Sequence, residues 1–199
     1  MATPQQAEDT RREDVLSALL RITDRDGLDA VSVRTVAAEA GLSIGYVQRQ
    51  FATKHDLLKA SVEYSLRAIS DRVQKRVAEV EPGTPGQELL RGLALDLITD
   101  ARQSVHEGRV WIAFLARAAV SAELAEVLRD HYAEAHELLV IILRLSQQYG
   151  ELDPTLDAEA EADALIALID GVDAHVLIGR LDPAAAEQAI TTHLARLYR

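Results

Sequence analysis

Apolar residues recur along this chain at intervals of three and four, the spacing that gives a helix one apolar face. Thr10 with Glu13 has the form of a capping box, which predicts a helix start there. Val15, Leu16, Leu19, Leu20 and Ile22 follow at helical spacing. Asp26-Gly27 closes that helix, because glycine readily takes the left-handed conformation beyond a helix end. Ser32 then caps a short helix over 33–40, with Val33, Val36, Ala37 and Ala40 on one side. Gly41-Leu42-Ser43 is a tight turn in which glycine stops one helix and serine caps the next, Ile44 to Phe51. Thr53 and Asp56 repeat the capping-box pattern and open a long helix carrying Leu57, Leu58, Val62, Leu66, Ile69 and Val73.

The stretch Glu81-Pro82-Gly83-Thr84-Pro85-Gly86 is the clear break in the chain. Beyond it the pattern predicts helices at about 87–106, 109–120, 122–149, 157–179 and 183–198. Gly108, Ser121, Gly150 to Pro154 and Asp182-Pro183 punctuate them. Asp182 suits an N-cap and Pro183 the first helical position. No two-residue alternation, internal repeat or low-complexity tract is present. The expected fold is all-α, with about nine helices: an N-terminal three-helix head at 1–58 and a helical region at 59–199.

Composition agrees, since Ala, Leu and Glu abound and only eight of 199 residues are aromatic. The absence of cysteine excludes a disulfide scaffold, a zinc-thiolate site and a cysteine nucleophile. Residues 1–12 are polar and charged, unlike a signal peptide, and no apolar run approaches the roughly 20 residues that cross a bilayer. A soluble cytoplasmic protein without a membrane partner is expected.

Charge changes the picture only when it is divided. The whole chain carries −11, which argues against nucleic acid as a partner. Residues 1–60, however, hold eight basic and nine acidic side chains, while 61–199 hold 13 and 23. The head is nearly neutral and the remainder strongly acidic, an asymmetry that suggests two parts with different roles.

Two short helices joined by a glycine turn and preceded by a longer helix form a helix-turn-helix pattern, whose second helix enters a DNA major groove. That pattern alone is shared with many helical hairpins. The run from Gly27 to Leu58 goes further. Its Val36-Ala37-Ala38-Glu39-Ala40-Gly41-Leu42-Ser43 turn, the following Gly45, the Phe51 that closes the second short helix and the Lys54-x-x-Leu57 opening of the next resemble the N-terminal domain of the TetR family of bacterial repressors. The resemblance covers about residues 10–60. It implies a core of Val36, Ala37, Leu42, Val47, Phe51 and Leu57. It also implies a DNA-reading surface of Ser43, Ile44, Gly45, Tyr46, Gln48 and Arg49, with Arg34, Thr35, Ser43 and Lys54 on backbone phosphates. Gly45 would let the backbone approach DNA, and Tyr46 would offer its ring to thymine methyls and its hydroxyl to a phosphate. The chain departs from the family in having Gln48 and Gln50 where members often have Tyr and then His or Tyr, so the bases read differ.

The acidic remainder has no phosphate loop, GxSxG elbow or HExxH pair. His131 and His136 are five apart and do not share a helix face, so no metal site is expected. The run Arg109 to Ala116 resembles the opening of the sixth helix in choline-repressor-like members of the TetR family. That resemblance places Trp111 and Phe114 at an inducer cavity with an apolar lining, and Arg117, His131 and Tyr132 are its candidate polar groups, with His106 and His136 beside them. Core packing is the alternative for either aromatic, and Asp170 and His175 fit a dimer contact or a satisfied core.

The segment 164–179 is apolar around more than half its circumference, so it must bury two faces. With Ala189, Ile190, Leu194 and Leu197 it resembles the family's dimer interface, formed by the last two helices of each subunit, where Gly171 would permit close approach. The expectation is a homodimeric regulator without a cofactor: a repressor released from a pseudo-palindromic DNA operator by a small inducer with an apolar portion. An enzyme using the C-terminal cavity, or a helix-turn-helix used only for packing, is the alternative.

Overall fold

The computed structural model describes residues 3–98 and 104–198. Among these are nine α-helices and a single 3-10 turn, at Leu28–Ala30. The helices are α1 (Pro4–Asp26), α2 (Val33–Ala40), α3 (Ile44–Gln50), α4 (Lys54–Ala78), α5 (Gly86–Ile98), α6 (Ser104–Ala118), α7 (Ala122–Gln148), α8 (Ala158–Leu177) and α9 (Pro183–Leu197).

Local chemistry accounts for most of the boundaries. Ser32 accepts from the Thr35 amide while the Thr35 side chain bonds back to the Ser32 backbone, a reciprocal cap that starts α2. Gly41 ends it at φ 67°, a left-handed conformation that suits glycine. Ser43 caps α3 by accepting from the Tyr46 amide. Thr53 and Asp56 exchange backbone-to-side-chain bonds of 2.9 and 3.0 Å at the start of α4. Asp182 accepts from the Ala185 amide at 2.7 Å, with Pro183 at the first turn of α9.

Two boundaries differ from expectation. The first helix starts at Pro4, not near Thr10, because Thr3 and Gln6 form the capping box there. Thr10 instead turns its hydroxyl onto the Gln6 carbonyl inside the helix. Gly108 is also not a break, since α6 runs through it from Ser104. A Cβ at Gly108 would sit 2.9 Å from Asp173 Oδ2 and 3.1 Å from Leu177 Cδ1, so glycine serves the close approach of α6 to α8. The expected helix at 87–106 includes 99–103, which lie outside the described residues.

The chain packs as two compact units. One comprises residues 1–68 and 109–128, the other 69–108 and 129–199. The first unit includes α4 up to residue 68, most of α6 and the start of α7. Arg109 on α6 faces Asp24 on α1 at 3.4 Å, and His55 on α4 faces Glu123 on α7. Buried residues of this unit include Val15, Leu19, Val36, Val47, Phe51, Leu57, Phe114, Leu124 and Leu128.

The second unit has a contiguous core in which Leu90 and Leu93 of α5, Leu143 of α7, Ala162 and Leu165 of α8 and Ile190 and Leu194 of α9 are buried together. A polar knot ties its ends. The Ser146 and Tyr198 hydroxyls lie 2.9 Å apart, and Glu151 accepts from the Gly86 amide at 2.9 Å, an anion at the N-terminus of α5.

Phe114 is 1% exposed. Phe114→Ala is therefore expected to destabilise the ligand-free protein by about 3–5 kcal/mol. Calorimetry without ligand checks this, at about 2–4 °C of thermal midpoint per kcal/mol for a chain of this size. An unchanged midpoint would remove Phe114 from the core.

Candidate functional site

In α3 the helical repeat of 100° per residue separates two faces. Ile44, Gly45, Gln48 and Arg49 are exposed on one, and Tyr46 and Val47 are buried on the other. Arg34 and Thr35 at the start of α2, Ser43 at the turn and Lys54 at the start of α4 are exposed as well. Eight of the nine residues expected at a DNA surface are thus accessible.

Tyr46 is the ninth, and it differs. It is 8% exposed, and its hydroxyl donates to Glu8 Oε1 at 3.2 Å. Burial first, and the Glu8 carboxylate next, push its phenol above the ordinary tyrosine value. The residue faces inward because it lies at the same angular position on α3 as the packed side, so its ring is not offered to thymine methyls here. The Arg49 guanidinium carbon stands 6.0 Å from the ring centroid.

The electrostatics of this surface are simple. Between Ser32 and Lys54 the sequence has one acid, Glu39, against Arg34, Arg49 and Lys54. Glu39 is engaged by α1: Arg21 reaches it at 3.1 Å and Arg25 at 3.3 Å. The Arg21 hydrogen bond leads in holding its carboxyl below the usual range. The side chains exposed on α2, the turn and α3 include cationic Arg34 and Arg49 and polar Thr35, Ser43 and Gln48, which suit phosphates, beside the apolar Ala38 and Ile44.

The residues expected at an inducer cavity fall in both units. Trp111, Phe114 and Arg117 belong to the first, where Trp111 is half-buried, Phe114 is buried and Arg117 is exposed. His131 and Tyr132 belong to the second, half-buried on α7, with ring centroids 6.1 Å apart. Tyr132 donates to Asp170 Oδ2 on α8 at 2.5 Å. Burial, reinforced by the nearby Asp170 charge, pushes the Asp173 carboxyl up to about 6. Burial also lowers the His131 pKa, which favours its neutral form. Asp170 thus has the Tyr132 phenol, the His131 imidazole and a second carboxylate, Asp173, in its surroundings.

Sequence reasoning missed Asp173, and it placed Asp170 at a dimer contact or in the core. The available signal was their three-residue spacing, which puts two acids on one face of an otherwise apolar helix. His175 has its Nδ1 2.8 Å from Arg180 Nη2, and His136 faces Glu159 and Asp163 at 3.7 and 3.6 Å. His106 is exposed. Among the described residues no group of three or more His, Asp or Glu could hold a metal, and no helix is long and apolar enough to cross a membrane.

Residues 15–61 match the model of the bacterial regulatory proteins of the tetR family, and residues 86–199 match that of the BetI-type transcriptional repressor C-terminal domain. The transcriptional regulator BetI of Stenotrophomonas maltophilia is 30% identical over 83% of this chain and 80% of its own length. A solved transcriptional regulator from Rhodococcus sp. Rha1 is 29% identical, with a TM-score of 0.80 over 94% of this chain and 95% of that one. A regulator from Saccharomonospora viridis, solved in complex with choline, shares the fold with a TM-score of 0.81 at 23% identity, again over 94% and 95%. A head and a C-terminal region that both match, on a fold that leaves a cationic helix-turn-helix surface exposed, establish that this chain belongs to the TetR family of transcriptional regulators, with a BetI-type C-terminal region.

Proposed function

We propose that this regulator is a homodimeric repressor whose operator grip is released by a small organic cation. The observation that carries the DNA part is the exposed face of α2 and α3, where the Glu39 carboxylate is paired with Arg21 and Arg25. Arg34, Thr35, Ser43 and Lys54 hold phosphates and set register, while Ile44, Gly45, Gln48 and Arg49 meet base edges in the major groove. In a gel-shift series over salt concentration, Lys54→Ala is expected to weaken all sequences alike and to lower the salt slope by about 1. Gln48→Ala is expected to relax base preference with the slope unchanged. Equal behaviour of the two variants would sink this division of roles.

Dimerisation is supported by α8. It buries Ala158, Ala162, Leu165 and Val172 inside the subunit, and leaves Ala160, Ala164, Ala167 and Gly171 exposed in a small-residue row at helical spacing. A Cβ at Gly171 meets nothing within 4 Å in the subunit, so there is room for a partner helix. Ile178, just beyond, is 74% exposed. The proposal is that α8 and α9 pair with their copies. Light scattering at micromolar concentration should return twice the chain mass, and Gly171→Leu should return the chain mass with helicity retained. A monomeric parent protein would refute this interface.

The effector reading rests on Asp170, Asp173, Tyr132 and His131. An organic cation relieves the repulsion between the two acids, and its apolar part meets the rings. The choline found in the Saccharomonospora viridis regulator is a cation of that kind. Helix α4 runs unbroken from the first compact unit into the second, which supports coupling between effector and DNA. Ligand and DNA that favour different separations of the reading helices weaken each other by the same factor.

The pH sign follows from Asp173. Its folded pKa is raised to about 6, so below that value the site holds a proton that a cation must displace. Ligand-free stability contributed by the neutral acid is present at low pH and lost as pH rises through about 6. Cation affinity runs the other way. Choline affinity by calorimetry is expected to rise by up to roughly tenfold per pH unit below that pKa and then level off. Its uncharged isostere, 3,3-dimethylbutan-1-ol, should bind weakly and without pH dependence. Asp173→Asn should abolish the dependence for choline. Equal binding of cation and isostere would overturn the effector assignment.

A further inference from the structure

The extra turns at the start of α1 reach the reading helix. Glu8, in the segment that begins at Pro4, accepts at one oxygen, Oε1, from the Tyr46 hydroxyl at 3.2 Å and from the Gln50 side-chain amide. Four residues later, the Arg12 guanidinium carbon stands 4.8 Å from the centroid of the Phe51 ring, directly past the end of α3. Tyr46 and Gln50 are four apart and share a face of α3, about opposite Ile44, Gly45, Gln48 and Arg49. The N-terminal turns of α1 therefore grip the back of α3 along its length while its front stays open.

A helix of seven residues has little stability of its own, so its rotation about its axis is set by what holds its back. Val47 and Phe51 are buried and hold one edge of that back. Glu8 holds the other, through two donors on successive turns. Gln50, a departure from the family pattern, is thereby occupied within the protein rather than directed at a base.

We propose that Glu8 is a positioning residue for DNA readout: by clamping Tyr46 and Gln50 it sets the angle at which Gln48 and Arg49 meet the bases. It acts on specificity more than on affinity. As an anion in the head it opposes DNA weakly, and what it contributes is orientation. The inference rests on α3 being the DNA-reading helix.

The test compares the parent protein with Glu8→Ala and Glu8→Gln. Each is used to select binding sites from randomised duplex DNA, and then titrated against the selected operator and a scrambled duplex at fixed salt. Glu8→Ala removes both bonds. It is expected to reduce the operator-to-scrambled affinity ratio roughly ten- to hundredfold, with scrambled binding equal or tighter. The altered base preference should fall at the positions Gln48 and Arg49 read. Glu8→Gln keeps an acceptor oxygen with two lone pairs, so it should retain the ratio while tightening scrambled binding. If both variants tighten binding equally and keep the ratio, Glu8 is only a repelling charge and the proposal is overturned. A parent that discriminates no sequence overturns the DNA-reading role of α3 along with it, and a discriminating parent matched by Glu8→Ala overturns the clamp alone. Circular dichroism melting of each variant guards the comparison. Should Glu8→Ala melt below the assay temperature, Tyr46→Phe, which removes one of the two donors, is read by the same ratio.

Discussion

A two-turn helix in water loses more in chain entropy than its few hydrogen bonds return, so α3 exists only because the rest of its unit holds it. Everything this regulator does with DNA depends on that support. Ser43 satisfies an amide at one end, Val47 and Phe51 are buried behind, and α1 reaches across with Glu8 and Arg12. The same compact unit contains residues 109–128, including the buried Phe114, Leu124 and Leu128. Packed interiors transmit small shifts because they have few voids to absorb them.

Charge in this molecule is arranged for address rather than for stability. Exposed pairs such as Arg91 with Glu187 and Arg144 with Glu159 contribute little, since each partner remains largely solvated. The placement of Glu39 matters more, because Arg21 and Arg25 pair with this carboxylate beside the α2–α3 surface. The second unit does the reverse. Asp170 and Asp173 lie near one another on α8, and burial, with the Asp170 charge second, pushes the Asp173 carboxyl up to about 6.

Two glycines on neighbouring helices show how the same residue type serves opposite purposes. Gly108 lies where α6 touches Asp173 and Leu177 of α8, and any side chain there would push against them. Gly171 lies on α8 facing open space, in line with Ala160, Ala164 and Ala167. The first closes a contact inside the subunit. The second leaves open space beside α8 within the subunit. Sequence pattern treats both as glycines in an apolar context, and it misread the first as a helix end.

Legibility followed the range of the forces involved. Helix period, caps and turn glycines act over a few residues, so the nine helices, the Ser32, Ser43, Thr53 and Asp182 caps and the helix-turn-helix were readable directly from residue order. Of the nine residues expected at a DNA surface, eight are exposed on the folded chain. The start of α1 was missed by seven residues because two capping patterns occur in that stretch, Thr3 with Gln6 and Thr10 with Glu13, and the earlier one caps the helix. The inward turn of Tyr46, the clamp of Glu8 on Gln50, the raised Asp173 carboxyl and the joining of 109–128 to the head were decided only by tertiary structure. Each depends on residues 38 or more positions apart, or on burial that no local pattern encodes. By itself the sequence determined an all-α regulator with a DNA-reading head and an acidic helical region. Folding decided which side of α3 faces outward and which carboxyl is buried beside another, because burial and long-range contact are properties of the packed chain.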